Sequence, residues 1–541
     1  MLLTNSANKN SYHHGALLSL VIYSTAAALL LFSPKSVAYE WLFTPNGRVD
    51  LIFTDNVTLV SGKGLTEKES DFVTRLIPGV YSKFTSRRFD SETDFRLRNV
   101  IFANQSERNR TTVLLNTRNT GEIVKDFLFV DGNVIMRQQN QSLAGRQGDD
   151  ANITGNLEDV QLYTVSPYVR QRFGNLASGE VRYARILTNS SRSSSFFNSQ
   201  AHTYQGSLIS GSDFKTLEWG LNYSKQDIDF DQRPDSVKIE TGIANVQYNI
   251  TRRFGITGTG GYENNTFGGA FADTKGVRWS AGFVWIPNRR TNLEASFGQR
   301  FFGDTYYFKF DHARRLSAIH ALYREDIRSA WNIFNIDGSG NTLGLLTTLL
   351  TSQAPPGTDP ADISEAAQIL LTELGFPGSL AFGQGFLTNR FFLQKRFESS
   401  IAFNTEKNTL VFRAFHIDRK PLDANNPFLA TGILALDGGL GTIGILGGGT
   451  QVNQKQIGGS GTWSHRITAR TSFNANLLFR HIEFPTLFRK DDEWLARVGF
   501  SRRFTERVFG LLFWRLRYRT SNFQLAEYTE NRLQASLAYR F

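Results

Sequence analysis

No cysteine occurs anywhere in the chain, and that single absence removes disulfides, thiolate metal sites and thiol catalysis together. Methionine is almost missing, at two residues, and the 13 prolines among 541 residues are too few for a disordered proline-rich chain. Apolar runs long enough to form a membrane-crossing helix are also lacking, with one exception at the start. Present in quantity are 45 Phe, 17 Tyr and 47 Gly. A chain without staples must draw its stability from another source, and closure of a β-barrel is one. The mean hydropathy of −0.29 suits such a barrel, because every second residue of its strands faces water and offsets the lipid-facing half. The net charge of +11 bears on attraction to anions rather than on fold.

The exception is "ALLSLVIYSTAAALLLF" at 16–32, which follows a polar stretch containing Lys9 and is stopped by Pro34. Ser36 and Ala38 are small residues at the two positions a signal peptidase reads, so residues 1–38 read as a cleaved secretory signal with Tyr39 as the mature start. An uncleaved anchor is the alternative.

Period-two alternation follows along most of the remaining chain. At the C-terminal end Phe541, Tyr539, Leu537, Ala535 and Leu533 share one face, while Arg540, Ala538, Ser536, Gln534 and Arg532 share the other. In "WLARVGF", 494–500, the apolar face is Trp494, Ala496, Val498 and Phe500, with Arg497 opposite. In 508–519 it is Leu512, Trp514, Leu516 and Tyr518, with Arg515, Arg517 and Arg519 opposite. Three arginines at period two would each cost several kcal/mol in hydrocarbon, so they must face water.

A basic hinge recurs between runs: "RQRFGN" at 170–175, "TRRFGI" at 251–256, "NRRTNL" at 288–293, "ARRLSA" at 313–318, "HRITAR" at 465–470 and "SRRFTE" at 501–506. Short hairpin turns on one rim and long loops on the other mark an outer-membrane barrel. The paired basics either meet anionic headgroups or simply solubilise exposed turns. Among the long connections, 327–385 carries a helix pattern capped by Asp359, with Pro360 in its first turn and Gly375 as its stop. That helix either packs its own loop or acts as a lid or plug. A second loop, 421–450, is glycine-rich but lacks the ending of a phosphate loop and reads as flexible.

These runs predict an all-β protein. Residues 39–541 form a single large antiparallel transmembrane barrel of roughly 20–22 strands, with short periplasmic turns, long extracellular loops and both termini periplasmic. The last strand pairs with the first, so the chain ends in a strand rather than a tail. Leu537, Tyr539 and Phe541 then resemble the C-terminal signal read by the outer-membrane barrel-assembly machinery. Outer-membrane lipid and that machinery are the partners expected, and nucleic acid is not.

At these residues the chain also resembles the PEP-CTERM/exosortase system-associated outer-membrane protein family. "EWLFTP" at 40–45, "FTDNVTL" at 53–59, "SDFVTRLIPGV" at 70–80 and "GEIVKDFLFVDG" at 121–132 are similar to its opening segments. "YTVSPYVRQRFG" at 163–174 is similar to its Val-Ser-Pro-Tyr segment, and "GYENN" at 261–265 and "FVWIPNRRTNLEASFGQRFFGDTY" at 283–306 are the most specific matches. The resemblance implies an outer-membrane location and association with exopolysaccharide loci. It brings no defined reaction, and neither 327–385 nor the loop near 440 aligns with a family motif.

Catalytic chemistry is not visible. There is no G-x-S-x-G elbow, and the histidines (His13, His14, His202, His312, His320, His416, His465 and His481) show no metal-ligand spacing. Asp311 and His312 adjoin but point to opposite faces of a strand. No catalytic, cofactor or metal residue is therefore assigned. Asp55 and Asn56 either bind an ion in the first loop or, more simply, form a solvated turn.

The better lead is the cationic set Arg497, Arg515, Arg517, Arg519, Arg532 and Arg540, which lines the water face of the last three strands. It either makes the lumen attractive to anions, such as an anionic solute or polysaccharide, or is paired with acids across strands. Three functions stay open: a conduit, a closed docking barrel for an export apparatus, and an enzyme at the lumen or rim.

Overall fold

Period-two segments this long can bury one face by closing on themselves, and the structure shows that closure. It is a computed structural model and describes residues 39–63, 67–141, 143–190, 197–231, 235–267, 274–329, 390–422, 434–437, 442–445 and 453–541. The expected signal segment 1–38 and the helix pattern at 359–375 lie outside these residues, as does most of 421–450.

The strands run in chain order. The first group is β1 (Glu40–Thr54), β2 (Asp71–Thr85), β3 (Phe89–Phe102), β4 (Arg110–Val124), β5 (Leu128–Asn140), β6 (Leu157–Phe173), β7 (Ala177–Ser190) and β8 (Ser199–Ser210). There follow β9 (Leu217–Phe230), β10 (Val237–Thr251), β11 (Phe254–Thr266), β12 (Lys275–Asn288), β13 (Thr291–Arg300), β14 (Gly303–Arg314), β15 (Ser317–Ser329), β16 (Phe391–Asn404) and β17 (Asn408–Pro421). A separate two-stranded ribbon joins β18 (Leu434–Asp437) to β19 (Thr442–Ile445) within the glycine-rich connection. The set ends with β20 (Gln454–Thr468), β21 (Thr471–Phe484), β22 (Arg489–Arg503), β23 (Val508–Ser521) and β24 (Tyr528–Arg540).

Apart from the ribbon, 22 strands form one sheet in which each pairs antiparallel with its sequence neighbour, and β17 pairs with β20. The ring closes where β24 pairs with β1, from Asn46↔Arg540 to Thr54↔Arg532. At about 4.8 Å per strand and a tilt near 40°, a circular ring of this size is on the order of 40 Å across its backbone. The shortest barrel strand, β13, has 10 residues, enough to cross hydrocarbon.

The exterior is apolar. Leu512, Trp514 and Tyr518 of β23, and Leu533, Leu537 and Tyr539 of β24, are solvent-accessible, while Arg515, Arg517, Arg519, Arg532 and Gln534 between them are buried inward. The water face and the oily face are thus inverted relative to a soluble protein, which is the signature of a barrel built for lipid.

The six basic hinges all map to one rim, where even-numbered strands turn into odd-numbered ones. Two-residue connections there include 252–253, 289–290 and 315–316. The start of β1 and the end of β24 lie at the same rim. The opposite rim carries the long connections but is not uniformly long. Phe301 and Phe302 alone join β13 to β14, in a turn closed by Gly303 at φ +114°, a conformation that side chains resist. Residues 327–329 belong to β15, so the long connection begins after them.

The seam corrects the reading of the first loop. Asn56 is fully buried: its amide donates to the carbonyls of Val60 (2.7 Å) and Thr529 (2.9 Å), and its Oδ1 accepts from Val60 N. Asp55 accepts from the backbone and side-chain nitrogens of Asn531 at 2.7 and 2.8 Å. Asn56 is therefore not in a solvated turn, and both residues tie the β1–β2 loop to β24 at the closure. The described left-handed residues of this loop are Leu59, at φ 52°, and Gly62, at φ 70°.

Candidate functional site

The water face of β23 is an arginine ladder, and it holds a loop. The β5–β6 connection, 141–156, turns inward instead of standing above the rim. Its spacing matches the strand two residues at a time. Arg519 donates to the carbonyls of Leu143 (3.3 Å) and Gly145 (2.8 Å), Arg517 to that of Gln147 (2.5 Å), and Arg515 to the Asp149 carboxylate (2.8 Å). The loop therefore lies antiparallel along β23, held by guanidinium groups rather than by a backbone ladder. Planar guanidinium forks suit this task because each offers several donors in fixed geometry.

Neighbouring strands complete the clamp. Arg532 on β24 reaches both Asp149 oxygens, at 3.0 and 2.8 Å, and the Asn152 amide oxygen at 3.0 Å. Arg489 on β22 donates to the Ala144 carbonyl at 2.7 Å. From the other side, Arg75 on β2 and Arg98 on β3 bind the two Asp150 oxygens at 2.7 and 3.1 Å, and Arg110 on β4 donates to the Asp150 carbonyl at 2.6 Å. Within the loop, Arg146 donates to the Thr58 carbonyl at 2.9 Å, and Ile153 N to the Val57 carbonyl at 2.8 Å, joining it to the seam loop.

Apolar contact adds to this. Leu143 and Ala144 pack with Phe392 of β16 and with Ile482 and Phe484 of β21; Ala151 packs with Ile52, Val57, Val73, Val100 and Phe102. Gly145 has no room for a side chain, since a Cβ there would stand 2.7 Å from the Asn156 side chain.

Cations this dense need acids. Arg497, Arg515 and Arg532 are register neighbours across β22, β23 and β24. Glu530 lies 2.8 Å from Arg515 and 2.9 Å from Arg532, and it also accepts from Thr54 and Asn152. Asp491 accepts from Arg519 at 2.5 Å and Arg489 at 2.9 Å. Burial pushes the Asp149 carboxyl up, but Arg532 and Arg515 overcome it and hold the group well below the ordinary carboxylate range. Asp149 is therefore the ionised keystone of the clamp.

Of the six arginines singled out from sequence, Arg515, Arg517, Arg519 and Arg532 converge on this loop. Arg497 faces the lumen with its guanidinium 3.7 Å above the Phe513 ring. Arg540 is exposed at the end of β24, away from the clamp. The ladder is thus not an open cationic ring: its charge is met by Asp149, Glu530 and Asp491, and its donors by loop carbonyls. Leu537, Tyr539 and Phe541 face outward at the short-turn rim, with the Tyr539 and Phe541 rings edge to face at 4.5 Å. The participation of 141–156 was missed from sequence, although Asp149 and Asp150 stand in a Gly- and Asn-rich connection between two clear strands.

Asp311 does have a histidine partner, on the next strand. His320 Nδ1 lies 2.7 Å from its carboxylate, from directly opposite positions on β14 and β15, while His312 Nδ1 lies 2.9 Å from Thr291 Oγ1. His481 pairs similarly with Asp492 at 2.6 Å. No nucleophile makes a hydrogen bond to His320 Nε2, and no group of three metal-ligating side chains occurs among the described residues.

No protein-family model and no curated protein sequence matches the chain. Solved structures with a similar trace include the siderophore receptor PirA from Acinetobacter baumannii, at 8% identity and TM-score 0.46, covering 94% of this chain and 81% of that one. The ferric-catecholate import receptor Fiu from E. coli K12 matches at 9% identity and TM-score 0.46, over 92% and 81% of the two chains. OccK2 (OpdF) from Pseudomonas aeruginosa matches at 6% identity and TM-score 0.35, over 93% and 98%. Likeness at this level bears on neither ligand nor mode of transport.

Proposed function

We propose that this protein is an outer-membrane conduit for polar solute, narrowed on one side of its lumen by the clamped loop 141–156. The observation that carries the reading is the arginine ladder, which fixes that loop against β23 inside a ring of 22 strands. The ring is on the order of 40 Å across its backbone, and the loop lies against one part of its wall, which suits a passage that is shaped rather than sealed. The outward apolar face supports the membrane location, and the termini at the short-turn rim suit a periplasmic orientation. The sequence resemblance adds exopolysaccharide-linked material as the cargo class. Because most of the ladder's charge is met by acids, the passage is expected to favour anions only weakly.

One observation favours the second reading, a closed docking barrel. On β17 the inward residues include Val411, Phe415 and Ile417, all buried, an apolar wall better suited to a filled interior. Single-channel recording of the refolded protein separates the two: steady conductance supports the conduit, and its complete absence, with or without the loop, supports the closed barrel.

A further inference from the structure

Four lipid-facing stripes end in arginine at the short-turn rim. On β10, Val246, Tyr248 and Ile250 lead to Arg252; on β12, Phe283, Trp285 and Pro287 lead to Arg289. On β14, Tyr306, Phe308, Phe310 and His312 lead to Arg314, and on β22, Trp494, Val498 and Phe500 lead to Arg502. Tyr248, Trp285, Phe308 and Phe500 are exposed, so these are outer-surface stripes. Arg314 Nε lies 3.1 Å from His312 Nε2, and the Arg502 guanidinium lies 5.6 Å from the Phe504 ring, whose side chain is itself exposed.

Adjacent basics straddle the wall. In a strand, successive residues point to opposite faces, so Arg502 is directed outward and Arg503 inward. On the lumen side of the same rim, Arg290, Arg315 and Arg466 line one cavity of about 630 Å³ with Asn404, Thr405 and Glu406.

At the far rim the same outer stripes mix lysine with acid: Lys238 and Glu240 on β10, Lys275 on β12, Asp304 on β14, and Lys490 and Asp492 on β22. The connection 330–389 contains Asp337, Asp359, Asp362, Glu365 and Glu373 and no Lys or Arg. The far rim thus carries both signs on its outer face, whereas these four stripes all end in arginine at the short-turn rim.

We propose that the short-turn rim is a binding collar for the phosphodiester headgroups of anionic phospholipid in one leaflet, engaged by Arg252, Arg289, Arg314 and Arg502. An arginine at the end of an apolar stripe buries its stem in the acyl boundary and presents a planar fork at headgroup depth, where phosphate accepts two N–H bonds. This rests on the barrel sitting in a bilayer, and it fixes which rim faces the phospholipid leaflet.

The test is the association of spin-labelled phosphatidylglycerol and phosphatidylcholine with the full chain reconstituted in nanodiscs. Each cation near the surface is worth about five-fold in local anion enrichment at low salt. A several-fold preference for phosphatidylglycerol is expected, collapsing at high salt and in R252Q/R289Q/R314Q/R502Q, but retained in K225Q/K238Q at the far rim. Equal association of the two lipids by wild-type protein overturns the proposal, as does a preference untouched by the four substitutions. Loss of the preference on adding millimolar inorganic phosphate would assign the collar to free phosphate and also overturn it. Heat-modifiable migration reports folding of each variant, and the salt titration on wild type stands if the quadruple variant does not fold. A chain that fails to insert at all overturns the membrane reading itself.

Discussion

The Arg515 guanidinium lies 2.8 Å from the Asp149 carboxylate across 366 residues of sequence. Arg532, one strand over, reaches the same carboxylate at 2.8 Å. One acid on a loop thus anchors two strands beside the barrel seam, and it is the point at which the loop is easiest to release.

Replacing that acid should loosen the loop without unfolding the barrel. Asp149→Asn removes one of the two carboxylates that Arg515 and Arg532 share, Glu530 being the other, and should weaken loop docking by about 2 kcal/mol. Hydrogen exchange at 143–152 should speed up while strand amides stay protected. Reversal-potential measurements should move toward anion selectivity, because one acid fewer offsets the inward arginines. Unchanged exchange in the loop would show that Asp149 is not its anchor.

The clamp should be acid-labile only at low pH. The folded-state pKa of Asp149 is depressed by Arg532 and Arg515, so its stabilisation is fully present above the unfolded value of about 3.9 and is lost as pH falls through the lower folded value. Loop exchange and open-channel noise should therefore be flat from pH 8 to about 5 and rise only below about 4. A transition near pH 6 would point to a histidine instead.

The seam should depend on Asn56 more than on Asp55. Asn56→Ala removes three buried hydrogen bonds and orphans their partners, at a cost of about 2–3 kcal/mol, whereas the more exposed Asp55→Ala should cost about 1 kcal/mol or less. The temperature at which the heat-modified band appears should fall in that order.

Assembly in cells should separate from stability at the last strand. Tyr539→Ala with Phe541→Ala removes outward-facing rings that make no contact with the clamp. Insertion in vivo should drop several-fold while refolding into detergent stays close to wild type. Equal loss in both would make the two residues structural rather than a signal.

The strands, the ring and the placement of the arginines are local properties, which is why they are legible in the sequence. Arg515, Arg517 and Arg519 declare their face by period two, and Arg252–Arg253 and Arg289–Arg290 mark turns by interrupting apolar stripes. Pairing across the chain is not local. Asn56 reads as a loop residue until closure brings Thr529 beside it, and Asp311 seems paired with nothing until β15 supplies His320. The β5–β6 connection carries only Gly, Asp and Asn signals, which describe a turn but not its direction. Its two-residue match to the β23 ladder, from Gly145 with Arg519 to Asp149 with Arg515, becomes visible only once both lie in one lumen.

The most direct test of the account is single-channel conductance in a planar bilayer, comparing wild type with a variant in which residues 143–152 are replaced by a short Gly-Ser linker. The account predicts steady conductance in wild type with weak ion preference, and a larger, anion-preferring conductance once the loop is gone and the ladder is exposed. Identical conductance and selectivity in the two proteins, or no conductance in either, would contradict it.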